Sequence, residues 1–301
     1  PFRWVLERLI GPRLILNSLE SIPVGIAADP LCASILVALK RKHAVYQVVF
    51  HCTDYSDRRF RNRFLNKIYQ RFSIDALRSS DLVLCVTSRM QDRFCELYAQ
   101  GAYMFFPNSP EAGKVPSYEI QVRDRTKFVL LGISKAGIDH EFIVKGFRIL
   151  RERKPEASLH IIGGGEGRRV LEETAIRAGL HEGIVFHGFL ARDKALEFMC
   201  KCGVGVVVYS KGNAWQYYGD SLKIREYAAC GLPVICDSLT STAQEAAEAG
   251  AASIVATPVE FADEAARLME NDEFYSVFSG KARDGASRND KLVYLKDWLK
   301  R

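Results

Sequence analysis

The segment from Gly219 to Ile235, GDSLKIREYAACGLPVI, decides how the fold of this chain is interpreted. It predicts a loop, then a short helix ended by Gly231, then a buried strand that opens at Pro233. A helix N-terminus collects free backbone N–H groups and a partial positive charge, which suits a diphosphate. Glu226 follows about one and a half turns later, at ~1.5 Å per residue, where its carboxylate can accept hydrogen bonds from two sugar hydroxyls. The pattern therefore favours a nucleotide sugar as the ligand.

An alternation of strands and helices begins near residue 127. The predicted strands are Lys127–Gly132, Ser158–Ile162, Ile184–Phe186, Val204–Tyr209, Pro233–Cys236 and Ala252–Val255. The predicted helices between and after them are 139–153, 167–178, 191–200, 221–230, 241–249 and 259–270. Because several of these strands are apolar on both faces, we expect a parallel sheet covered by helices. Such a pattern is typical of a doubly wound α/β domain, in which ligands bind beyond the carboxyl ends of the strands.

The first 120 residues follow the same pattern less completely. Strands are predicted at Val45–Cys52, Leu82–Thr87 and Tyr103–Phe106. Asp29 is expected to cap a helix that contains the apolar residues Leu31, Ile35, Leu36 and Leu39. With only three or four strands visible, this half falls short of a full Rossmann domain.

The predicted organisation is therefore two Rossmann-like doubly wound domains that face a cleft. The first spans 1–120 and is incomplete, with a linker in the polar, aperiodic stretch 108–125. The second spans 126–285 and is expected to bind the nucleotide. An apolar stripe in 286–301 predicts a C-terminal helix that packs back on the first domain. Since the chain begins at Pro1 rather than Met, we expect a fragment or a processed N-terminus.

Composition is ordinary for a soluble globular protein, with 48% hydrophobic and 26% charged residues among 301. No apolar run approaches the ~20 residues that span a bilayer, and no signal-peptide pattern opens the chain. The eight cysteines lack zinc-ligand spacing, so we expect reduced, mostly buried thiols in a cytosolic protein. The six histidines are scattered, and no metal site is predicted.

The excess of positive charge, +6 in total, is concentrated in a predicted helix at 57–78. Its basic residues are Arg58, Arg59, Arg61, Arg63, Lys67, Arg71 and Arg78. They could form a solvated helix face, or a patch that faces anionic lipid or a phosphorylated acceptor. Phe60, Phe64 and Ile68 are expected to point into the core. Nucleic acid is not an expected partner, because no aromatic stacking motif accompanies the charges.

A series of short motifs runs in order through residues 45–270. They are Val48–Asp54, Asp81–Ser88, Phe106–Asn108, Phe128–Asp139 (FVLLGISKAGID), Leu159–Arg168 (LHIIGGGEGR), Val185–Leu190 (VFHGFL), Val208–Ser210 (VYS) and Lys223–Ile235 (KIREYAACGLPVI). Their order and spacing resemble those of GT-B fold glycosyltransferases, specifically the nucleotide-sugar-dependent family 4. Two positions depart from the family pattern. Tyr218 stands eight residues before Glu226, where the family usually has a second Glu, and Ala136 stands where Lys is common.

The resemblance implies a role for each motif position in this chain. Glu226 would hold the ribose of a UDP- or GDP-linked donor sugar. Lys223 and Lys135 would stabilise the leaving diphosphate. The other implied donor-binding residues are Ser221, Asp220, Gly219, Ser134, Gly164, Gly165, His187 and Tyr209. Cationic groups and a helix end can neutralise the diphosphate without a divalent ion, so no cofactor beyond the donor is expected.

Each of these residues also has a purely structural interpretation. Glu226 could form a surface ion pair, and Lys223 could be a solvated side chain. The glycines of 163–167 allow close backbone approach to a ligand or form a tight turn. They fail as a dinucleotide fingerprint because Arg168 falls where the third Gly belongs. His187 could be a hydrogen-bonded loop histidine or a contact to the pyrophosphate or sugar.

The favoured function is transfer of a sugar from a nucleotide diphosphate sugar to a glycan or lipid-linked acceptor bound near residues 48–58. Retention would need no protein nucleophile, whereas inversion would need a base, for which Asp54 is the candidate. By analogy with the family, the context is bacterial polysaccharide or glycolipid synthesis, in the cytoplasm or at the inner face of the membrane. The alternatives are an inactive nucleotide-sugar-binding protein and, less favoured, a Rossmann-type oxidoreductase.

Overall fold

The structure is a computed structural model that describes residues 10–13, 21–110, 115–116, 123–132, 137–180, 182–211 and 214–288. The described chain divides into two compact units. Unit 1 takes the chain as far as Pro107 and then a short return segment, Tyr217–Asp220. Unit 2 takes the rest, from Asn108 to Gln216 and from Ser221 onward.

Unit 1 is built on a four-stranded parallel sheet. Its strands are β1 (Ile22–Ala27), β2 (Val45–Cys52), β3 (Leu82–Cys85) and β4 (Tyr103–Phe105). Its helices are α1 (Pro30–Lys40), α2 (Arg63–Ser79) and α3 (Ser88–Leu97). The strands lie side by side in chain order, β1-β2-β3-β4, so the order does not reverse within the described sheet.

Unit 2 is built on a six-stranded parallel sheet of order β10-β9-β8-β5-β6-β7. The strands are β5 (Asp124–Leu131), β6 (Ser158–Ile162), β7 (Ile184–Gly188), β8 (Cys202–Val207), β9 (Val234–Cys236) and β10 (Ala252–Ile254). The helices are α4 (His140–Arg153), α5 (Glu166–Arg177), α6 (Arg192–Lys201), α7 (Ala214–Tyr217), α8 (Leu222–Ala229), α9 (Ser241–Glu248), α10 (Pro258–Glu270) and α11 (Asp272–Arg288). The chain winds outward from β5 in one direction and then from β8 in the other, which confirms the predicted doubly wound sheet.

Helix ends form where the sequence predicts them. The Asp29 carboxylate accepts hydrogen bonds from Leu31 N at 2.8 Å and Cys32 N at 3.0 Å, so the predicted cap of α1 is confirmed. Gly231 follows the end of α8 with a φ of 68°, a left-handed conformation that glycine adopts without strain. Gly231 therefore ends this helix, as predicted, and lets the chain turn directly into β9.

One buried tyrosine, Tyr227, holds α8 on the sheet of unit 2. The fully buried Tyr227 hydroxyl donates to Val206 O at 3.1 Å and accepts from Leu131 N at 2.8 Å. A side chain at Gly205 would lie 2.5 Å from the Tyr227 ring, so this position has room only for hydrogen. Because Tyr227 bonds to both β5 and β8, α8 is held over the junction between these two strands.

Two elements of unit 1 were not predicted from the sequence. β1 carries Pro23 and Gly25 within six residues, which hides its strand pattern. α3 follows β3 directly, where the prediction extended the strand to Thr87. In unit 2, β5 begins at Asp124, inside the stretch predicted as linker.

The boundaries of two further predicted elements differ from those in the structure. β8 ends at Val207, so Tyr209 lies beyond the strand rather than at its end. α11 reaches Arg288, and the remainder of the helix predicted at 286–301 lies outside the described residues.

The basic segment differs from its prediction in register. α2 begins at Arg63, with the Asn62 side chain accepting from Phe64 N at 2.8 Å, rather than at residue 57. Its buried face carries Tyr69, Ser73, Ala76 and Leu77. Phe64 precedes Tyr69 by five residues, which turns it about 140° away from that face at 3.6 residues per turn. The prediction that Phe64 points into the core is therefore wrong, and its side chain is 67% exposed.

The eight cysteines are free thiols, and Cys85, Cys230 and Cys236 are buried as expected. Within the described part of the chain, no helix is both long and apolar enough to cross a membrane.

Candidate nucleotide-sugar site

The strand order of unit 2 reverses between β5 and β8, and this reversal marks the expected place for a ligand. In open α/β sheets, ligands bind beyond the carboxyl ends of the strands at such a switch point. Gly132 follows β5 with a φ of 60°, and Tyr209 follows β8. The helix held over the same two strands by Tyr227 is α8. The N-terminal half of α8 therefore lies at this switch point.

Ser221 caps α8 and is itself firmly held. Its hydroxyl accepts from Ile224 N at 3.4 Å and shares a 2.8 Å hydrogen bond with the Tyr209 hydroxyl. Its backbone N–H donates to the Thr242 hydroxyl at 3.0 Å. Ser221 and Tyr209 are both buried. Two of the residues predicted to bind the donor sugar therefore order the start of the helix. The first N–H groups of a helix have no partner within the helix, which leaves them suited to an anion.

Lys223 lies in the first turn of α8, beside the end of β5. A side chain at Gly132 would lie 3.5 Å from Lys223 Cε, and Lys223 Nζ is 5.6 Å from the centre of the Tyr209 ring. Burial lowers the pKa of Lys223, while Glu226 acts in the opposite direction. A cation held out of water in this way interacts strongly with an incoming phosphate.

Glu226 follows Lys223 by one turn, so the two side chains share a face of α8. Its side chain is 16% exposed, and its carboxylate lies 3.5 Å from the Arg192 guanidinium, which is 56% exposed. Burial raises the pKa of Glu226, and the positive charges of Arg192 and Lys223 oppose this shift. The ion-pair interpretation of Glu226 is therefore confirmed, and ribose binding stays a prediction.

The glycine run follows β6, next to β5 in the sheet. Gly163 and Gly165 have φ values of 122° and 107°, and Gly165 stands directly before α5. A side chain at Gly164 would lie 2.7 Å from the ring of Phe189, which is 83% exposed. The absence of a side chain at Gly164 thus makes room for the Phe189 ring, and the positive φ values agree with the tight-turn interpretation of this run.

His187 lies in strand β7 rather than in a loop, which corrects the prediction of a loop histidine. Its Nε2 and His160 Nδ1 share a 2.9 Å hydrogen bond, and His160 Nε2 pairs with the Ser158 hydroxyl at 3.0 Å. Burial and the neighbouring His187 lower the pKa of His160 to about 4, and burial also lowers that of His187. The pair is therefore neutral at physiological pH, with His187 satisfied by another side chain.

The remaining predicted residues belong to unit 1 or lie outside the described residues. Asp54 follows β2 in unit 1, is 53% exposed, and lies 4.0 Å from the Arg59 guanidinium. Gly219 and Asp220 belong to the return segment that is grouped with unit 1. Ser134 and Lys135 lie outside the described residues.

Two polar residues near the switch point were not predicted from the sequence. Asp237 follows β9 directly, and its carboxylate accepts hydrogen bonds from Tyr209 N and from Leu239 N. Burial raises the pKa of Asp237. Its position after a buried strand was a readable signal. Arg192, at the start of α6, carries no such signal because its pairing with Glu226 depends on tertiary packing.

Within the described ranges, no group of three or more His, Cys, Asp or Glu residues is arranged to hold a metal ion.

The two parallel sheets place the chain in a known class of folds. Both units have the Rossmann-like construction of GT-B glycosyltransferases, and solved GT-B structures align with nearly the whole chain. Residues 127–271 match the family model described as glycosyl transferases group 1. This segment, which includes the whole of α8, is therefore similar to group 1 glycosyl transferases, and the chain as a whole has the GT-B fold.

Three solved structures illustrate the likeness. HepE from Anabaena, in complex with UDP, aligns over 92% of this chain and 77% of its own, with 16% identity and a TM-score of 0.72. TarM from S. aureus, with UDP and α-GlcNAc-glycerol, aligns over 92% and 54%, with 14% identity and a TM-score of 0.70. A UDP-forming trehalose-phosphate synthase from Burkholderia xenovorans aligns over 99% and 76%, with 15% identity and a TM-score of 0.72. At these identities the likeness is one of fold. No curated protein sequence matches the chain.

Proposed function

We propose that this chain transfers a sugar from a UDP-sugar to a hydroxyl of a glycan or lipid-linked acceptor, without a metal ion. The observation that carries the proposal is the placement of Lys223 and Glu226, one turn apart on a capped helix, at the switch point of a domain similar to group 1 glycosyl transferases. UDP is favoured over GDP because HepE and TarM are solved with UDP.

On the donor side, the first turn of α8 and Lys223 bind the diphosphate, and Glu226 binds the ribose. The exposed Arg192 can turn away from Glu226 toward solvent, which frees the carboxylate for two hydroxyl groups. Lys135 and Ser134 remain proposed partners of the diphosphate on the strength of sequence alone. Gly164 and Gly165 let the donor approach the backbone after β6.

In the reaction, the acceptor oxygen forms a bond to the anomeric carbon, and the bond from that carbon to the β-phosphate oxygen breaks. UDP leaves with the electron pair, and Lys223 and the α8 amides stabilise the charge that develops on it. In the retaining course that we favour, the leaving phosphate accepts the acceptor proton. In the inverting alternative, Asp54 accepts it. The anomeric configuration of the product, read by NMR, distinguishes the two courses.

A second candidate is a nucleotide-sugar-binding protein that does not turn over. Tyr218 motivates it, because the resembled family usually has a Glu at this position. Binding of UDP-sugars without release of UDP, across a panel of sugar and lipid acceptors, would favour this candidate.

The proposed setting is bacterial polysaccharide or glycolipid synthesis in the cytoplasm, with the chain peripheral at the inner membrane face. The support is the basic surface around α2, where the exposed side chains are Arg58, Arg61, Arg63, Lys67, Arg71, Arg78 and Phe64. Each basic group near an anionic surface contributes about 1 kcal/mol. Because Phe64 is exposed, insertion of one ring adds to the electrostatic attraction that the charges alone predict.

Co-sedimentation with phosphatidylserine vesicles tests this partner. We expect binding at low salt that falls steeply toward 1 M salt, where screening shortens to about 3 Å. Changing Arg58, Arg61 and Arg63 to Ala should weaken binding, whereas Arg148→Ala on α4 should not. Binding that is absent at low salt, or indifferent to these changes, would reduce the surface to a solvated helix face.

The direct test of the proposed function is a thermal-shift screen against UDP, GDP, ADP, dTDP and NAD, followed by an assay of UDP release from UDP-sugars. We expect UDP to raise the unfolding temperature most. Stabilisation by NAD without any effect of a nucleoside diphosphate would favour an oxidoreductase and overturn the proposal.

A further inference from the structure

Three polar side chains of unit 1 contact the carboxylate of Asp57 and form a cluster with it. The carboxylate accepts from the Tyr55 hydroxyl at 2.8 Å, from the Tyr218 hydroxyl at 2.8 Å and from Arg93 Nε and Nη2 at 3.1 and 3.0 Å. Three different parts of the chain thus converge on one side chain. They are the loop after β2, helix α3 and the return segment Tyr217–Asp220.

The cluster is built to keep Asp57 ionised and both phenols protonated. Burial alone would raise the pKa of Asp57, but the hydrogen bonds from Tyr55, Tyr218 and Arg93 outweigh it and leave the pKa below its ordinary value. Burial and the bond to Asp57 raise the pKa of Tyr218 to about 12. Hydrogen bonds to an ionised acceptor are stronger than those between neutral groups, so each contact is a firm one.

The return segment is held through its backbone as well. The Thr87 hydroxyl donates to Tyr218 O at 3.0 Å, and Arg89 Nη1 donates to Tyr217 O at 2.6 Å. The Arg89 guanidinium also lies 4.2 Å from the centre of the Tyr217 ring. The Tyr218 ring packs edge-on against Tyr55, with centroids 5.2 Å apart. Two consecutive residues are therefore fixed by side chains from the N-cap and the first turn of α3.

The other side of the cluster is anchored in the core of unit 1. Tyr55 is fully buried, and its ring packs edge-on against Phe94 with centroids 5.0 Å apart. The Gln70 side chain donates to Asp57 O at 3.0 Å, which ties the loop to α2. The loop that carries Asp57 is thus held by the core of unit 1, and the Tyr218 hydroxyl donates a hydrogen bond to Asp57.

We propose that Asp57 is a positioning residue for the donor site, acting through Tyr218. The chain runs from Tyr218 to Ser221, the cap of α8, in three residues, and Lys223 lies two residues further on. Fixing Tyr218 limits the conformations of this short connection and so reduces fraying of the first turn of α8. This inference rests on the proposed function of Lys223 and Glu226. It also gives Tyr218 a role in place of the Glu that the resembled family usually has there.

The test uses two phenylalanine variants that remove one hydroxyl each from the same carboxylate. Tyr218→Phe removes the hydrogen bond between the return segment and Asp57 and keeps the ring, whereas Tyr55→Phe leaves that hydrogen bond in place. We expect Tyr218→Phe to raise the Kd for UDP about threefold to tenfold, the equivalent of one hydrogen bond, while Tyr55→Phe leaves it unchanged. The KM for the acceptor should stay the same in both variants.

Amide hydrogen exchange in the unliganded proteins provides a readout that does not depend on UDP. Tyr218→Phe should accelerate exchange in residues 222–226, and Tyr55→Phe should not. Equal acceleration in both variants, or none in a folded Tyr218→Phe protein, would overturn the inference. Failure of the wild-type protein to bind UDP would instead count against the proposed function, while the exchange comparison would still decide the role of Asp57.

Discussion

Units 1 and 2 are both parallel sheets covered by helices, but they use their carboxyl edges differently. Within the described residues, the strands of unit 1 follow chain order, whereas those of unit 2 reverse between β5 and β8. Successive right-handed crossovers leave a sheet on one side until the order reverses and on the other side afterwards. At the reversal, neighbouring loops diverge and open a crevice. Lys223 and Glu226 therefore lie where the topology provides that space.

The side chains at the carboxyl edges of the two sheets also differ. Next to the β5–β8 junction are a glycine, a capped helix start and one partly buried residue of each charge. After β2, unit 1 instead has the closed cluster of Asp57, Tyr55, Arg93 and Tyr218, in which the carboxylate is saturated by donors. The edge of unit 2 therefore has charged groups that can bind a ligand, whereas the carboxylate at the edge of unit 1 binds side chains of the protein itself.

The largest effect that would sharpen this contrast is loss of the switch-point cation. Lys223→Ala should lower kcat for sugar transfer about 10²–10³-fold, because the residue stabilises charge that appears on the leaving diphosphate. Steady-state assays of UDP release measure it. Lys145→Ala, on the exposed face of α4, is the matched control and should leave kcat unchanged. Equal kcat in the two variants would remove Lys223 from the mechanism.

A smaller effect is expected in donor affinity. Glu226→Ala should weaken UDP binding at least about tenfold, since charged hydrogen bonds are worth roughly 1.5–3 kcal/mol each. Calorimetric titration checks it, with a circular dichroism spectrum to show that the fold is intact. Glu173→Ala on α5, which also removes a Glu from an ion pair, should bind UDP normally. UDP affinity that survives the loss of Glu226 would contradict the ribose assignment.

How far could this have been predicted from the sequence? The buried strands of unit 2 and the helix through Lys223 and Glu226 were readable, because apolar runs and turn residues are local signals. β1 was not, since Pro23 and Gly25 interrupt its pattern. Phe64 was misplaced because its face depends on the cap at Asn62, which the hydrophobic spacing alone did not reveal.

The candidate site was predicted in its parts but not in its pairings. Ser221 and Tyr209 were predicted to bind the donor sugar. Their hydrogen bond to each other was not predicted, because it depends on the packing of α8 against β8. The Arg192–Glu226 and His160–His187 pairs join residues 34 and 27 positions apart, respectively. Such contacts carry no local sequence signal.

A pH effect on stability should come from the His160–His187 pair of unit 2. The pKa of His160 is lowered from 6.5 to about 4, so the unfolded chain binds a proton that the folded one does not. Stability is fully present above pH 6.5 and is lost as pH falls toward 4, by about 1 kcal/mol between pH 6.5 and 5.5.

Urea unfolding at pH 8.0, 6.5 and 5.5 measures this loss. His160→Gln should flatten the slope between pH 6.5 and 5.5, whatever its stability at pH 8.0, where the histidine is neutral in both states. An unaltered slope in this variant would assign the pH effect to other groups.

The smallest effect should follow chelation. We expect sugar transfer to continue unchanged in EDTA, because the α8 amides and Lys223 supply the positive charge at the diphosphate. The assay compares rates before and after addition of EDTA. Loss of activity that magnesium or manganese restores would show that these groups are insufficient.

The central claim is that the nucleotide binds at the reversal of the unit 2 sheet and not in unit 1. Hydrogen–deuterium exchange with and without saturating UDP tests it most directly, because both units are followed in one experiment. We expect protection in residues 222–229 and in the turns after β5 and β6, with residues 21–107 unchanged. Protection confined to residues 21–107, or none in 222–229 under saturating UDP, would contradict it.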